Sequence, residues 1–191
     1  MELGTIIFLV VAVIAVAYFI YIYNGLVSLK HNVSKAWSNI EVILKQRHDE
    51  LPKLVDVCKR YMKYEQETLE KVINARSQVM KARAASDMGA LGQAETQLRA
   101  GLGNLFALAE NYPDLKADKS YQHLESRVSQ LENAIADRRE VYNESVNLNN
   151  VRIEQFPDVL VARMFNFRPF ELLEFSEEEI RDVDMKNLFG N

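Results

Sequence analysis

Apolar residues run unbroken from Ile6 to Tyr23, and from Leu26 they recur at three- and four-residue intervals as far as Ile153. The two patterns predict two kinds of helix. The first run is 18 residues long (positions 6 to 23 inclusive), and no charged side chain lies between Glu2 and Lys30. At about 1.5 Å per residue it reaches roughly 27 Å, close to the ~30 Å hydrocarbon core of a bilayer. A lone segment in lipid must pair its backbone groups internally, so it is expected to be a transmembrane helix. Tyr18, Tyr21 and Tyr23 gather at its C-terminal end, where membrane-interface aromatics sit. Two readings compete: a buried core helix, which is usually amphipathic or shorter, and a cleaved signal peptide. Ala15-Val16-Ala17 resembles a cleavage site, but the region before it holds Glu2 and neither Lys nor Arg, and the apolar run continues beyond. A retained anchor over residues 1–24 is therefore expected. Lys30 and Lys35 follow it and no basic residue precedes it, which predicts a single pass with the N-terminus outside and the remainder cytoplasmic.

The later pattern is amphipathic. Leu26, Leu29, Val33, Ala36, Ile40 and Ile43 form one stripe, continued after Pro52 by Leu54, Val55, Cys58, Tyr61, Met62, Leu69, Val72 and Val79. Pro52 suits the first turn of a new helix, and a chain reversal is expected there, giving four helices; the alternative is a kink, which would leave three. Asp87 reads as the N-cap of a helix over Met88 to Glu110, ended by Asn111-Tyr112-Pro113. A fourth helix is expected from Asp118 to Phe156. The fold class that follows is all-α, with an antiparallel up-and-down four-helix bundle over 25–170. After Phe156-Pro157 a short apolar stretch, with Phe165, Phe167, Phe170, Leu172 and Leu173, is expected to cover one end of the bundle; the other option is contact with lipid. Ser176-Glu177-Glu178-Glu179 is a capping box that predicts a short helix in the tail.

Composition sharpens this. Seven Gly and four Pro in 191 residues favour long helices. Residues 171–191 hold seven acidic and two basic side chains, a net of −5, so the total of −4 leaves +1 for the rest. An acidic tail at 171–191 on a near-neutral body excludes nucleic acid as a partner class, because that affinity comes from neutralising phosphates. A single cysteine, Cys58, rules out an intrachain disulfide and multi-cysteine metal sites.

The search for chemistry is short. A di-iron bundle site needs Glu-x-x-His on two helices, and the residues three before each histidine are Ser28, Lys45 and Ser120. His48-Asp49-Glu50 offers three ligand types, but neighbouring helical residues point apart. Gly101-Leu102-Gly103 lacks the preceding strand and following GK[ST] of a phosphate loop; small residues there suit close helix packing. Cys58 lies on the inward stripe, where a buried thiol is a small hydrophobe. No catalytic, cofactor or metal residue is indicated. The anomaly is polar residues on apolar stripes: Arg47, Glu65 and Arg76, then Arg139, Asn143 and Asn150 near Tyr142. A buried charge without a partner is costly, so these predict an interior polar network, either structural or lining a ligand pocket.

From Tyr23 to about Glu174 the chain resembles the LemA family of bacterial membrane proteins. The matching residues are Tyr23-Asn24-Gly25-Leu26-Val27, Ala36-Trp37 and Leu44-Lys45-Gln46-Arg47-His48-Asp49 with Pro52 and Glu65. They continue in Leu105 through Lys116, Tyr142-Asn143, Asn150, Arg152-Ile153, Phe156-Pro157 and Phe165-Asn166-Phe167-Arg168-Pro169. Departures include Tyr64 for a frequent His and Asn166 for a frequent Gly. The resemblance implies an anchored four-helix bundle in the cytoplasmic (inner) membrane and no known catalytic residue. Some relatives are associated with magnetosome membranes. The expected function is a non-enzymatic scaffold or assembly protein at the cytoplasmic face. Its expected partners are the lipid bilayer, further copies of itself, and a membrane or cytoplasmic protein. The alternative is a ligand-binding or sensing module built on the interior Arg/Glu/Asn network.

Overall fold

The computed structural model describes residues 2–175, and within them the chain is all-helical. The helices are α1 (Leu3–Tyr61), α2 (Gln66–Ala85), α3 (Met88–Ala109), α4 (Pro113–Ala117), α5 (Lys119–Glu154) and α6 (Asp158–Met164). The described residues form two compact units, 2–40 with 138–172 and 41–137 with 173–175. The capping-box helix expected from Ser176 lies outside the described residues, as does most of the acidic tail.

In the first unit, the apolar run of α1 is exposed as far as Tyr21, as a lipid-facing anchor would be. Its last turns enter protein contact: Ile22 and Leu26 pack with Ile153, Val161 and Ala162, flanked by Phe19, Tyr23 and Phe167. Further along, Trp37 lies against Tyr142 with ring centroids 5.7 Å apart.

The second unit is a four-helix arrangement: the end of α1, then α2, α3 and the first half of α5. The two-residue Ser86-Asp87 connection makes α2 and α3 antiparallel neighbours. Its core includes Leu44, Leu51, Leu54, Leu69, Val72, Leu98, Leu102, Leu105, Tyr121 and Val128, all buried.

The reversal expected at Pro52 is not there. Pro52 lies inside α1, and the chain turns at Met62–Glu65 instead. Proline withholds the donor that would have bonded to the carbonyl four residues back. That carbonyl belongs to His48, and the Arg76 Nε of α2 donates to it at 3.0 Å. A neighbouring helix thus fills the gap, which removes part of the penalty of an interior proline. In the structure α5 runs 36 residues, and the apolar run of α1 needs no protein cover.

Local signals decide the α2–α3 junction. Ser86 ends α2 in the left-handed region, φ 54°, and Asp87 caps α3 by accepting from the Ala90 N–H at 2.8 Å, as expected. Asn166 adopts φ 56° after α6, which gives a physical reason for glycine being frequent there in the family. Of the small residues in α3, Gly101 faces Val72, and a Cβ there would meet its side chain at ordinary contact distance, 3.5 Å. Gly103 faces open space. The tight approach is at Gly92, where a Cβ would lie 1.8 Å from the Glu174 carbonyl oxygen. The extended residues Leu173 and Phe175, both buried, cross the helix at this point.

The apolar stretch after Phe156 divides its side chains. Val161, Ala162, Leu173 and Phe175 are buried, as cover would require. Phe156, Leu160, Met164 and Phe165 are exposed.

Candidate functional site

The largest fully buried side chain is Arg47. α1 places it on the inward stripe between Leu44 and Leu51, so the guanidinium enters the core of the second unit. Its two terminal nitrogens diverge: Nη2 meets Glu95 Oε1 of α3 at 2.5 Å, and Nη1 meets Glu132 Oε1 of α5 at 2.6 Å. Arg99 extends the cluster, its Nε 3.2 Å from Glu132 Oε2. Burial works against the Arg47 charge, but the two carboxylates outweigh it and hold the group protonated. Burial also pushes the Glu95 carboxyl upward, against the pull of Arg47. Arg47 Nε and Glu95 Oε2 are buried without hydrogen-bond partners. The arrangement joins three helices through one cation. Both terminal nitrogens of Arg47 are thus occupied by carboxylates, while its Nε is not. A cavity of about 210 Å³ lies beside Arg99 and Glu132, and Arg47 does not line it.

The other predicted polar residues have partners of their own. Arg76 binds the His48 carbonyl, and its Nη2 lies 2.7 Å from His48 Nε2. The arginine can only donate, so Nε2 accepts and the histidine is neutral. Burial and then the Arg76 charge hold the His48 pKa below the usual value. The unfolded chain therefore binds a proton more readily, and stability from this group is present above the unfolded pKa and lost as pH falls through the folded one. The wild type should lose stability on acidification from about pH 7 to below 6. In His48→Gln, where the amide oxygen can accept from Arg76, that loss should be smaller. Urea midpoints across this range check it, and equal slopes in both proteins would count against it.

Glu65, at the α1–α2 turn, accepts from the Tyr112 hydroxyl at 3.3 Å. Asn150, in the first unit, pairs with the backbone of Phe170: its Nδ2 donates to the Phe170 carbonyl and its Oδ1 accepts the Phe170 N–H, both at 2.9 Å. Nearby, the Tyr142 hydroxyl donates to the Glu171 carbonyl at 2.9 Å. Arg139 and Asn143 lie half-buried in the same unit and are engaged there. Thus Arg47, Glu65 and Arg76 belong to one unit with separate partner sets, while Arg139, Asn143 and Asn150 belong to the other. Of the interface tyrosines, Tyr18 and Tyr21 are exposed, and Tyr23 packs on Phe165 at 4.8 Å between centroids.

Two partners of Arg47 escaped the sequence reading. Glu95 was legible in principle, because it falls between Leu91 and Leu98 on the inward stripe. Glu132 lies beside that stripe in α5 and carries no such signal.

Around His48-Asp49-Glu50, Arg76 takes the imidazole and Lys53 takes Glu50 at 3.1 Å. No group of three or more potential metal ligands occurs among the described residues. Cys58 is fully buried, and burial pushes its thiol up to about 12, with Glu125 adding to the shift. The thiolate that reacts with maleimide is then scarce near pH 8. Labelling should be negligible in the folded protein and complete in denaturant. Rapid stoichiometric labelling without denaturant would contradict the buried placement.

Comparison with known proteins follows the same lines. A model of the LemA family matches residues 36–186. Protein LemA of Metamycoplasma hominis is 29% identical over 92% of this chain and 80% of its own length. Two magnetosome proteins of Paramagnetospirillum magneticum, MamQ 1 and MamQ 2, are each 23% identical over 87% of this chain and 71% of their own. The MamQ of Magnetospirillum gryphiswaldense is 23% identical over 78% of this chain and 63% of its own.

Proposed function

The chain belongs to the LemA family, and from that premise we propose that it is a membrane-anchored helical scaffold. It self-associates or recruits partners at the cytoplasmic face and carries out no chemistry itself. The observation that carries this reading is α1: one uninterrupted helix holds both the exposed apolar run and the stripe that builds the bundle core. Tethering raises effective concentration, so that weak lateral contacts suffice for assembly. The magnetosome proteins among the relatives support a role in membrane organisation. The absence of basic residues before the span and Lys30 and Lys35 after it support a single pass with the bundle cytoplasmic.

The buried cluster supports a structural role over a ligand pocket. Both terminal nitrogens of Arg47 are taken by carboxylates, so an incoming anion would have to displace them.

The test is the particle size of the full-length protein, extracted gently from membrane, by mass photometry. Discrete multimers are expected. A strict monomer that also recovers no partner after crosslinking in the membrane would end the scaffold reading.

A further inference from the structure

The first unit contains a cavity of about 500 Å³ whose wall combines aromatic rings with cations. Tyr23, Phe167 and Phe170 line it together with the basic residues Lys30, His31 and Arg168. The depth of this cavity relative to a bilayer is set by ring contacts. Phe165 lies 6.1 Å from Phe19 and 4.8 Å from Tyr23, and both belong to the apolar run. The loop that follows α6 is therefore level with the end of the hydrocarbon-length segment. Lys30 lies seven residues beyond Tyr23, roughly 10 Å along the helix axis. Helical side chains lean toward the N-terminus, here back toward the bilayer, and a lysine extends its charge along its own stem. The headgroup layer occupies this depth. Among the described residues no carboxylate pairs with Lys30 or His31, and Arg168 reaches only Asn166, at 3.4 Å.

The apolar side chains of the same segment agree with this placement. Phe156, Leu160, Met164 and Phe165 are exposed, although Val161 and Ala162 between them are buried. In water that surface would be unfavourable; against acyl chains, beside the equally exposed run of α1, it is at home.

We propose that residues 156–170 form a second membrane contact, in which α6 lies in the interface and Lys30, His31 and Arg168 hold the phosphate of an anionic phospholipid. The occupant is a lipid rather than a soluble phosphate, because the cations border an apolar cavity level with the bilayer edge. Tyr23, Phe167 and Phe170 would pack on the glycerol and upper acyl carbons. This inference shares with the scaffold reading only the anchor; it does not need self-association.

The experiment uses the full-length protein in nanodiscs of equal phosphatidylglycerol and phosphatidylcholine, with retained lipids counted by native mass spectrometry. The wild type should retain phosphatidylglycerol in preference to phosphatidylcholine. Lys30→Gln with Arg168→Gln should lower that preference by roughly fivefold for each cation removed. Lys30→Arg with Arg168→Lys should keep it, which separates lost charge from a lost fold. Lys35→Gln, outside the cavity lining, should leave it unchanged. Equal retention of both lipids by the wild type, or a preference that survives the double glutamine variant, would overturn the proposal. Inorganic phosphate that displaces the retained phosphatidylglycerol would overturn the lipid assignment as well. A monomer that recovers no partner yet still selects phosphatidylglycerol keeps this inference and loses the scaffold.

Discussion

Arg47→Met is expected to destabilise the protein by about 3–5 kcal/mol, the cost of leaving a buried carboxylate without its cation. The methionine fills much of the stem's volume, so packing alone does not account for the loss. Glu95 has one oxygen already unpaired and would lose the partner of the other, 2.5 Å away. Glu132 fares better, because it is partly exposed and retains Arg99. Adding Glu95→Leu to Arg47→Met removes the stranded charge and should recover most of the stability, since apolar replacements of buried ion pairs are often neutral or better. Arg47→Lys should behave more like Arg47→Met than a conservative change would. One ammonium cannot reach carboxylates on two helices in diverging directions as the planar fork does. Urea unfolding of the full-length protein in detergent, followed by helix circular dichroism, reads all three. A cost below about 1 kcal/mol for Arg47→Met, typical of a surface change, would show that the cluster does not hold these helices together.

Gly92→Ala is the second large effect. Its Cβ would stand 1.8 Å from a backbone oxygen, so no rotation of a flexible side chain relieves the clash. Either α3 shifts or residues 173–175 lift away. Lifting exposes Leu173 and Phe175, each worth about 1.5–3 kcal/mol when fully buried, so a total loss of about 3 kcal/mol or more is expected. Hydrogen exchange should rise at 173–175. Gly103→Ala is the control: it meets open space in the same helix and should stabilise by up to about 1 kcal/mol, because alanine is the better helix former. If the two variants unfold at the same urea concentration, the close crossing at Gly92 is wrong.

Much of the fold was legible because its signals are local. An apolar run of membrane length, three-four periodicity, an aspartate before a helix and a proline after one each act within a few residues. They located α3 and α5 to within one or two positions. Pro52 shows where local reasoning stops. The same proline is a helix start if its His48 carbonyl goes unpaired, and a tolerated interior residue if a donor arrives from another helix. That donor, Arg76, is 28 positions from His48.

The candidate site divides in the same way. A charge on an apolar stripe is visible in sequence, and the stripe identified Arg47 and Arg76 as residues needing partners. Which partners they take depends on helix pairing: Glu95 is 48 positions from Arg47, and Glu132 is 85. The requirement for glycine at Gly92 was equally hidden, since nothing near it in sequence marks the segment around Glu174 that crosses it. The sequence by itself thus determined the membrane run, the helical class, the helix faces and the family, because these follow from residue order and short-range sterics. Only the tertiary structure decided where α1 ends, which carboxylates share the buried cation, and which rings of α1 meet Phe165. Those outcomes rest on contacts between residues far apart in the chain, and their energies exist only once the helices have packed.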